Sequence, residues 1–195
     1  MNRAWLLVIL GALHAMPLLA AAPEATQATR PAGAAELPRL ESEYWDWLMA
    51  RYPLNATFIG HRGYDDRLDD NTADGRKKEL AFLNSFARKF DAIDSERLAE
   101  ADSVSWFVLS TDLVSRKEAL DHKFWQYDVD HMDGAQTWIP QVVAIAQPMT
   151  TEKDAQALLA RMSAFGPFFE AHLANLREGM AEGRTAARVA VERTI

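Results

Sequence analysis

Side chains that could do chemistry are concentrated in one short segment, residues 52–67, here called the polar loop. Five of them lie between or just after Gly60 and Gly63: His61, Arg62, Tyr64, Asp65 and Asp66. Pro53 and the two glycines interrupt the helical pattern on either side, so a loop rather than a helix face is predicted to present these side chains. They are the candidate substrate-facing residues of the chain.

Two interpretations of the polar loop fit its residue types. An arginine fork such as Arg62 can clamp a substrate carboxylate, for example a peptide C-terminus, while a neighbouring aspartate fixes the orientation of the fork. Alternatively, Arg62 or Arg67 pairs with Asp65 or Asp66 only to hold the loop in shape, because structural ion pairs also bring charges together. The residues alone leave both interpretations open.

The sequence contains no metal-ligand pattern and no catalytic constellation. A zinc hydrolase built on a helix needs His-Glu-x-x-His, in which two imidazoles one turn apart reach a single ion. The histidines after residue 36 are isolated, and none precedes a glutamate: His61, His122, His131 and His172. We therefore predict no catalytic residue, no bound metal and no cofactor in this chain.

Calcium and nucleophile motifs are also incomplete. The acidic cluster at residues 128–133 has Met132 and Asp133 where a calcium loop needs Asp or Asn and then glycine. Residues 70–81 end on Ala81 instead of a bidentate glutamate. The sequence has no Gly-x-Ser-x-Gly segment and no cysteine. We interpret these acids as solvated turn and helix-capping residues.

Composition and the first residues indicate an exported globular protein. The net charge of −7 makes nucleic acid an unfavourable partner. Residues 1–22 combine a positive start, a short apolar run and small final residues, as in a secretory signal peptide. A membrane-spanning helix is the alternative, but the run contains His14 and Pro17 and is shorter than the roughly 20 residues required. We expect periplasmic or extracellular localisation, with no membrane attachment after cleavage.

Helical periodicity follows a flexible Ala/Pro-rich linker, which is predicted for residues 23–36. Apolar side chains recur at three- and four-residue steps in five segments: 37–52, 73–93, 98–125, 152–165 and 169–180. Residues 137–146 are apolar enough to be buried in any conformation and are predicted to form a short helix. Thr185 is predicted to cap a last helix. The predicted fold is all-α, an array of about six or seven helices that is incomplete at the C-terminus, since the last helix has no stop signal. The apolar stripes of the five segments include Leu37, Leu40, Leu80, Leu83, Phe86, Leu159, Met162 and Met180. The predicted core positions include Phe107, Leu120, Leu158, Leu173 and Leu176.

Two stretches of the chain have a distinctive residue order. The first reads Pro-x-x-Ala-Thr-x-x-Gly-x-x-x-Tyr-Asp-Asp-Arg over residues 53–67 and is preceded by Trp47-Leu48. The second runs from Gln147-Pro148 through Leu176-Arg177-Glu178-Gly179 to Val191-Glu192-Arg193. In this order they resemble the bacterial family named for domain of unknown function 885, and the resemblance extends over residues 37–195.

This resemblance implies a mostly helical exported protein with a zinc-dependent peptidase motif, of the His-Glu-x-x-Pro-Gly-His-His type, in its C-terminal half. The present chain contains no such motif. We therefore interpret it as the N-terminal part of such a protein, inactive alone. The missing C-terminal half would be its partner, a peptide its substrate, and zinc a cofactor of the full-length protein only.

A second hypothesis is a free-standing secreted helical binding module without catalysis. The two hypotheses predict different surfaces. A fragment should expose the apolar faces that the missing half covers, beyond the few hundred Å² usual for a soluble monomer. A self-sufficient module should show no such surface.

Overall fold

The computed structural model describes residues 32–132 and 134–194, with side chains from residue 36 onward, and every regular element within these residues is helical. Eight α-helices follow one another along this part of the chain: α1 (Ala32–Arg51), α2 (Pro53–Phe58), α3 (Ala73–Phe90), α4 (Glu100–Asp121), α5 (Ala135–Ile145), α6 (Glu152–Ser163), α7 (Phe165–Ala181) and α8 (Arg188–Thr194). Short 3-10 helices lie at Ser95–Arg97 and Phe124–Gln126. The all-α prediction is confirmed. Among the described residues, no helix has the length and apolarity that crossing a membrane requires.

The larger hydrophobic core lies between α1, α3 and α4. Leu37 of α1, Phe86 of α3 and Leu113 of α4 are buried in one cluster. Aromatic rings pack against it, and Trp47 stacks on Phe82 with ring centroids 4.3 Å apart. The predicted packing of segment 37–52 against segment 73–93 is therefore confirmed, although Leu80 of the predicted stripe is exposed and Phe82, which was predicted to lie off that stripe, packs against the core.

A smaller core joins α2 to α5 and to the start of α7. Leu54, Ile139 and Val142 are buried together, and Phe165 and Phe168 pack against them. This second cluster holds the first part of the polar loop against the C-terminal helices.

The polar loop is partly helical, contrary to the prediction of a non-helical stretch. Residues 53–58 form α2, with Pro53 in the first helical turn, where the missing N–H of proline leaves no hydrogen bond unmade. Gly60 and Gly63 then adopt positive φ values of 79° and 101°, which end the helix and turn the chain.

Several other boundaries differ from the sequence prediction. α1 already begins at Ala32, so the end of the predicted linker 23–36 is helical. α4 stops at Asp121 because Lys123 takes a left-handed conformation with φ 54°. Thr185 is not the cap of the last helix, which begins three residues later. The predicted signal peptide 1–22 and the linker up to residue 31 lie outside the described residues.

The buried face of α6 is polar rather than apolar. Asp154 and Arg161 are buried, with Leu158 half-buried between them, whereas Leu159 and Met162 of the predicted stripe are exposed. The inward positions thus follow the same helical spacing as the predicted ones, but on a different side of the helix.

The buried positions in the second half of α7 are likewise polar or small. Asn175 and Gly179 are buried, while Leu173 is 48% exposed and Met180 is exposed. A Cβ at position 179 would lie 2.1 Å from the carbonyl oxygen of Gln126, so the approach of α7 to the Phe124–Gln126 turn requires glycine. The predicted burial of Leu173 is wrong.

The first half of α4 exposes its apolar stripe. Phe107 is 65% exposed, and Val104 and Val108 on the same side are exposed as well, so the predicted burial of Phe107 is wrong. Apolar side chains lie on more than one side of α4, and the side with Leu109 and Leu113 packs against the core. The other predicted core positions are half-buried: Leu120, Leu158 and Leu176.

We expect Leu83→Ala to lower the free energy of unfolding by about 2 to 5 kcal/mol, because Leu83 is fully buried and its truncation leaves a cavity. Leu173→Ala, the same substitution at an exposed position, should change it by no more than about 0.5 kcal/mol. Urea denaturation followed by circular dichroism measures both. A loss above about 2 kcal/mol for Leu173→Ala would contradict the exposure of this face of α7.

Candidate functional site

Arg161 of α6 is the centre of the hydrogen-bond network that holds the polar loop. Its side chain is fully buried. Its Nε donates to the carbonyl oxygen of Arg67 at 2.9 Å, and its Nη2 donates to the carbonyl oxygen of Tyr64 and to Oγ1 of Thr57, both at 2.8 Å. Its Nη1 donates to Oε1 of Gln147 at 2.6 Å. Three of these four acceptors belong to the polar loop, so α6 fixes the course of that loop.

Asp65 is the buried acid of the polar loop. The Thr57 hydroxyl that accepts from Arg161 donates in turn to Oδ1 of Asp65 at 2.9 Å, so a neutral group bridges the buried cation and the buried anion. The carbonyl oxygen of Asp65 accepts from Nε2 of Gln147 at 3.1 Å. Both the carboxylate and the backbone carbonyl of Asp65 therefore accept hydrogen bonds from within the protein.

Arg62 lies on the solvent side of this network, with its side chain 57% exposed. Its Nη2 donates to Oδ1 of Asp154 at 2.8 Å, and its Nε is 3.7 Å from Oδ2 of Asp65. Burial alone would raise the pKa of Asp154, but hydrogen bonds from Thr150 and Thr151 lower it to about 2. A cavity of about 520 Å³ opens beside this ion pair.

The remaining candidates form a stack on the outside of the loop. The His61 ring stacks with Tyr64 at 5.7 Å between centroids and meets Trp45 edge-on at 5.9 Å. Arg67 Nε donates to Oδ1 of Asp66 at 2.9 Å, and its guanidinium lies 5.4 Å from the centroid of the Tyr64 ring. These contacts join side chains of the loop to one another and to Trp45 of α1.

The structure thus brings the five predicted residues together, and it contains the ion pairs of the structural interpretation, Arg62 with Asp65 and Arg67 with Asp66. Contact of these residues with a substrate stays a prediction. Of the groups in the loop, the Arg62 guanidinium both borders a cavity and is largely exposed.

A second site, which the sequence analysis missed, is a pocket of about 530 Å³ lined by residues of α1, α3, α4 and α7. Arg51, Arg76 and Arg116 line it together with four acidic residues and several aromatic rings. No spacing in the sequence connects these three arginines, because each comes from a different helix. The three arginines look like ordinary surface charges in the sequence, and only the packing of their helices shows that they share a pocket.

Two of the acids in this pocket are each bound by an arginine and a tyrosine. Glu79 accepts from Nε of Arg51 at 2.9 Å and from the Tyr52 hydroxyl at 2.6 Å, and Nη2 of Arg51 lies 2.7 Å from the same carboxylate. Asp112 likewise accepts from Nε of Arg116 at 2.8 Å and from the Tyr44 hydroxyl at 2.7 Å. The charges of these four ionic groups are therefore balanced within the pocket wall.

Asp69 is an acid of the pocket that forms no ion pair within the described residues. Its Oδ1 accepts from the backbone N–H of Leu54 at 3.1 Å, in the first turn of α2. Burial raises the pKa of Asp69 to about 6, although this hydrogen bond and the positive charge of Arg51 act in the opposite direction.

Arg161 is the other residue that the sequence analysis missed as a determinant of the site. It lies three residues after Leu158 and seven after Asp154. That spacing places it on the same side of α6 as Asp154 and Leu158, which face inward. A charged residue on the inward side of a helix indicates a buried side chain that is hydrogen-bonded to another part of the protein.

We expect Arg161→Met to lower the free energy of unfolding by about 3 to 5 kcal/mol, because it leaves buried acceptors in the polar loop without a donor. Arg62→Met, the same substitution at an exposed ion pair, should cost no more than about 1 kcal/mol. Urea denaturation of both variants gives the comparison. Equal losses for the two variants would contradict the central role of Arg161.

Asp69 makes stability depend on pH. Because its folded pKa of about 6 lies above the ordinary value of 3.8, the folded state holds an extra proton in between, and the free energy of unfolding falls as pH rises through this window. Asp69→Asn keeps an oxygen acceptor for Leu54 without the charge. It should add about 1 to 3 kcal/mol at pH 7.5 and almost nothing at pH 4.

Urea denaturation at both pH values measures this difference. Asp128→Asn, at an exposed acid lining the same pocket, serves as control and should stay within about 0.5 kcal/mol at each pH. A pH-independent effect of Asp69→Asn would contradict the raised pKa of this carboxyl group.

The described residues do not fit the zinc ion that the family resemblance implies for a longer protein. Within residues 32–132 and 134–194, no group of three or more His, Cys, Asp or Glu side chains is arranged to hold a metal ion. No step of a reaction is therefore assigned to zinc in this chain.

Residues 53–195 match the family described as "Bacterial protein of unknown function (DUF885)". No curated protein and no solved structure matches the chain. The matched range begins at the proline that starts α2 and contains Arg161 and all four of its hydrogen-bond acceptors. The chain belongs to the DUF885 family of bacterial proteins.

Proposed function

We propose that this chain is the N-terminal helical part of an exported zinc-dependent peptidase, and that its helices form one wall of the substrate cleft. The zinc ligands and the catalytic base belong to a further part of the same protein, in a motif of the His-Glu-x-x-Pro-Gly-His-His type. This chain contributes shape and binding groups for a peptide. Export rests on the signal-like residues 1–22.

The observation that carries this proposal is the outward orientation of apolar stripes on three helices. Val104, Phe107 and Val108 of α4 are exposed, as are the apolar stripes of α6 and α7 described above. On α6 and on the second half of α7, buried polar or small residues face the described core instead. Apolar surface of this extent on several elements is typical of faces that further protein covers.

The same observation weighs against the free-standing binding module. Such a module needs exposed apolar side chains only where its ligand binds. Here they extend over α4, α6 and α7, and also include Ile145 of α5 and Met149 after it. A surface spread over four helices and a connection fits an extended intramolecular interface better than one ligand site.

The protein encoded by the natural gene, if the reading frame continues into the zinc motif, should retain one zinc ion per chain after dialysis and cleave peptides. Residues 23–195 alone should do neither, because no two of their histidines have ligand spacing. Metal analysis and a peptide-cleavage assay on both proteins test this. A reading frame that ends without the motif, or one zinc per chain in residues 23–195, would overturn the proposal.

The outward stripe of α4 can be tested in the same two proteins. Phe107→Ser should leave the unfolding free energy of residues 23–195 within about 0.5 kcal/mol, because the ring is exposed there. The longer protein should lose about 3 to 5 kcal/mol, because the ring is covered there. Glu118→Ser, at an exposed position on α4, is the control and should be neutral in both. Neutral behaviour of Phe107→Ser in the longer protein would show that this face stays open.

A further inference from the structure

Arg76 differs from the other two arginines of the 530 Å³ pocket. Arg51 and Arg116 each bind a carboxylate at 2.7 and 2.8 Å, whereas Arg76 forms no ion pair within the described residues. The side chain of Arg76 is nevertheless half-buried, and burial lowers its pKa. A cation withdrawn from water without a counterion is unfavourable, so an anion at this position would be bound favourably.

Neutral groups hold the Arg76 side chain in place. Its guanidinium carbon lies 4.4 Å from the centroid of the Trp125 ring, and its Nη1 donates to the carbonyl oxygen of Asn71 at 2.8 Å. Nδ2 of Asn175 donates to the same carbonyl at 2.9 Å, which fixes the acceptor. The guanidinium is therefore positioned before any ligand arrives, and its remaining N–H groups have no acceptor among the described residues.

The wall of the pocket beside Arg76 suits an apolar group. Trp125, Phe124 and Phe168 line it, and its volume of about 530 Å³ is in the range of small-ligand sites. The indole N–H of Trp125 is buried and also has no acceptor within the described part of the chain. A buried donor without a partner is rare in folded proteins, so this N–H is a second group beside Arg76 that an acceptor could satisfy.

We propose that Arg76 and Trp125 form a subsite for one carboxylate attached to an apolar or aromatic group, such as the C-terminal residue of a peptide. A single negative charge fits better than a phosphate dianion, because Asp69 and Asp128 also line the pocket. The carboxylate class follows from the unpaired guanidinium. The assignment to a peptide end rests on the proposed peptidase function.

The test uses calorimetric titration of the purified chain without its predicted export signal. The probes are N-acetyl-L-phenylalanine and N-acetyl-L-phenylalanine amide, which differ only in the carboxylate. We expect the acid to bind and the amide to bind at least about tenfold more weakly, because the amide gives the guanidinium no charged partner. Inorganic phosphate should bind more weakly than the acid.

Variants assign the effect to Arg76. Arg76→Gln should weaken binding of the acid at least about tenfold, and Arg76→Lys should recover only part of it, since an ammonium group lacks the planar fork. Lys77→Gln removes the same charge from the next, exposed position of α3 and should bind like the unmodified protein. Circular dichroism and urea denaturation confirm that each variant is folded.

Three results would overturn the subsite: no binding of the acid, equal binding of acid and amide, or equal losses in Arg76→Gln and Lys77→Gln. These results are independent of the zinc experiment. Selective binding of the acid, combined with a longer protein that holds no zinc, would refute the peptidase proposal and keep the carboxylate subsite. Zinc-dependent cleavage combined with equal binding of acid and amide would do the reverse.

Discussion

A guanidinium that is fully buried must find its hydrogen-bond acceptors inside the protein, and in this fold that constraint falls on Arg161. Two of its acceptors are main-chain carbonyls of the polar loop, at Tyr64 and Arg67. If the backbone of the loop moved, the buried Arg161 guanidinium would lose these acceptors. Losing the partners of a buried charge destabilises a protein far more than losing an exposed ion pair. Because this loop joins the α1–α3–α4 core to the core around α2 and α5, the Arg161 side chain of α6 contributes to the arrangement of the two, together with the hydrogen bonds of Asn71 to α7.

Sequence periodicity predicted α1 and α3 well because their apolar stripes contrast with charged opposite faces. Leu37, Leu40, Leu83 and Phe86 are all buried, as the spacing indicated. The same rule placed Leu159 and Met162 of α6 and Leu173 and Met180 of α7 inward, and all four are exposed. Periodicity reports that a helix has an apolar side, but not which neighbour covers that side. On α6 and α7 the polar side chains of Arg161 and Asn175 are buried, and apolar side chains on another side of each helix are exposed.

The polar loop shows the corresponding limit for chemistry. Its residue types and glycines predicted a compact group of charged and aromatic side chains, and the structure contains one. The roles within the group depend on Gln147, Asp154 and Arg161, which are some 80 to 100 positions away along the chain. Local spacing carries no information on such partners. The pocket around Arg76 escaped detection for the same reason, because four helices contribute to it.

Comparison of Arg62 with Arg76 indicates which arginine is better prepared to bind an external carboxylate. Arg62 is exposed but already paired with Asp154, so a ligand would have to replace an existing ion pair in a region open to water, where the gain is small. Arg76 is held by the Trp125 ring and a backbone carbonyl, and an arriving carboxylate displaces no internal anion. Its site is also less hydrated, which strengthens each charge-assisted hydrogen bond. Arg62, which the sequence made prominent, is thus already paired with an internal anion, whereas the proposed carboxylate subsite uses an arginine whose sequence context is ordinary.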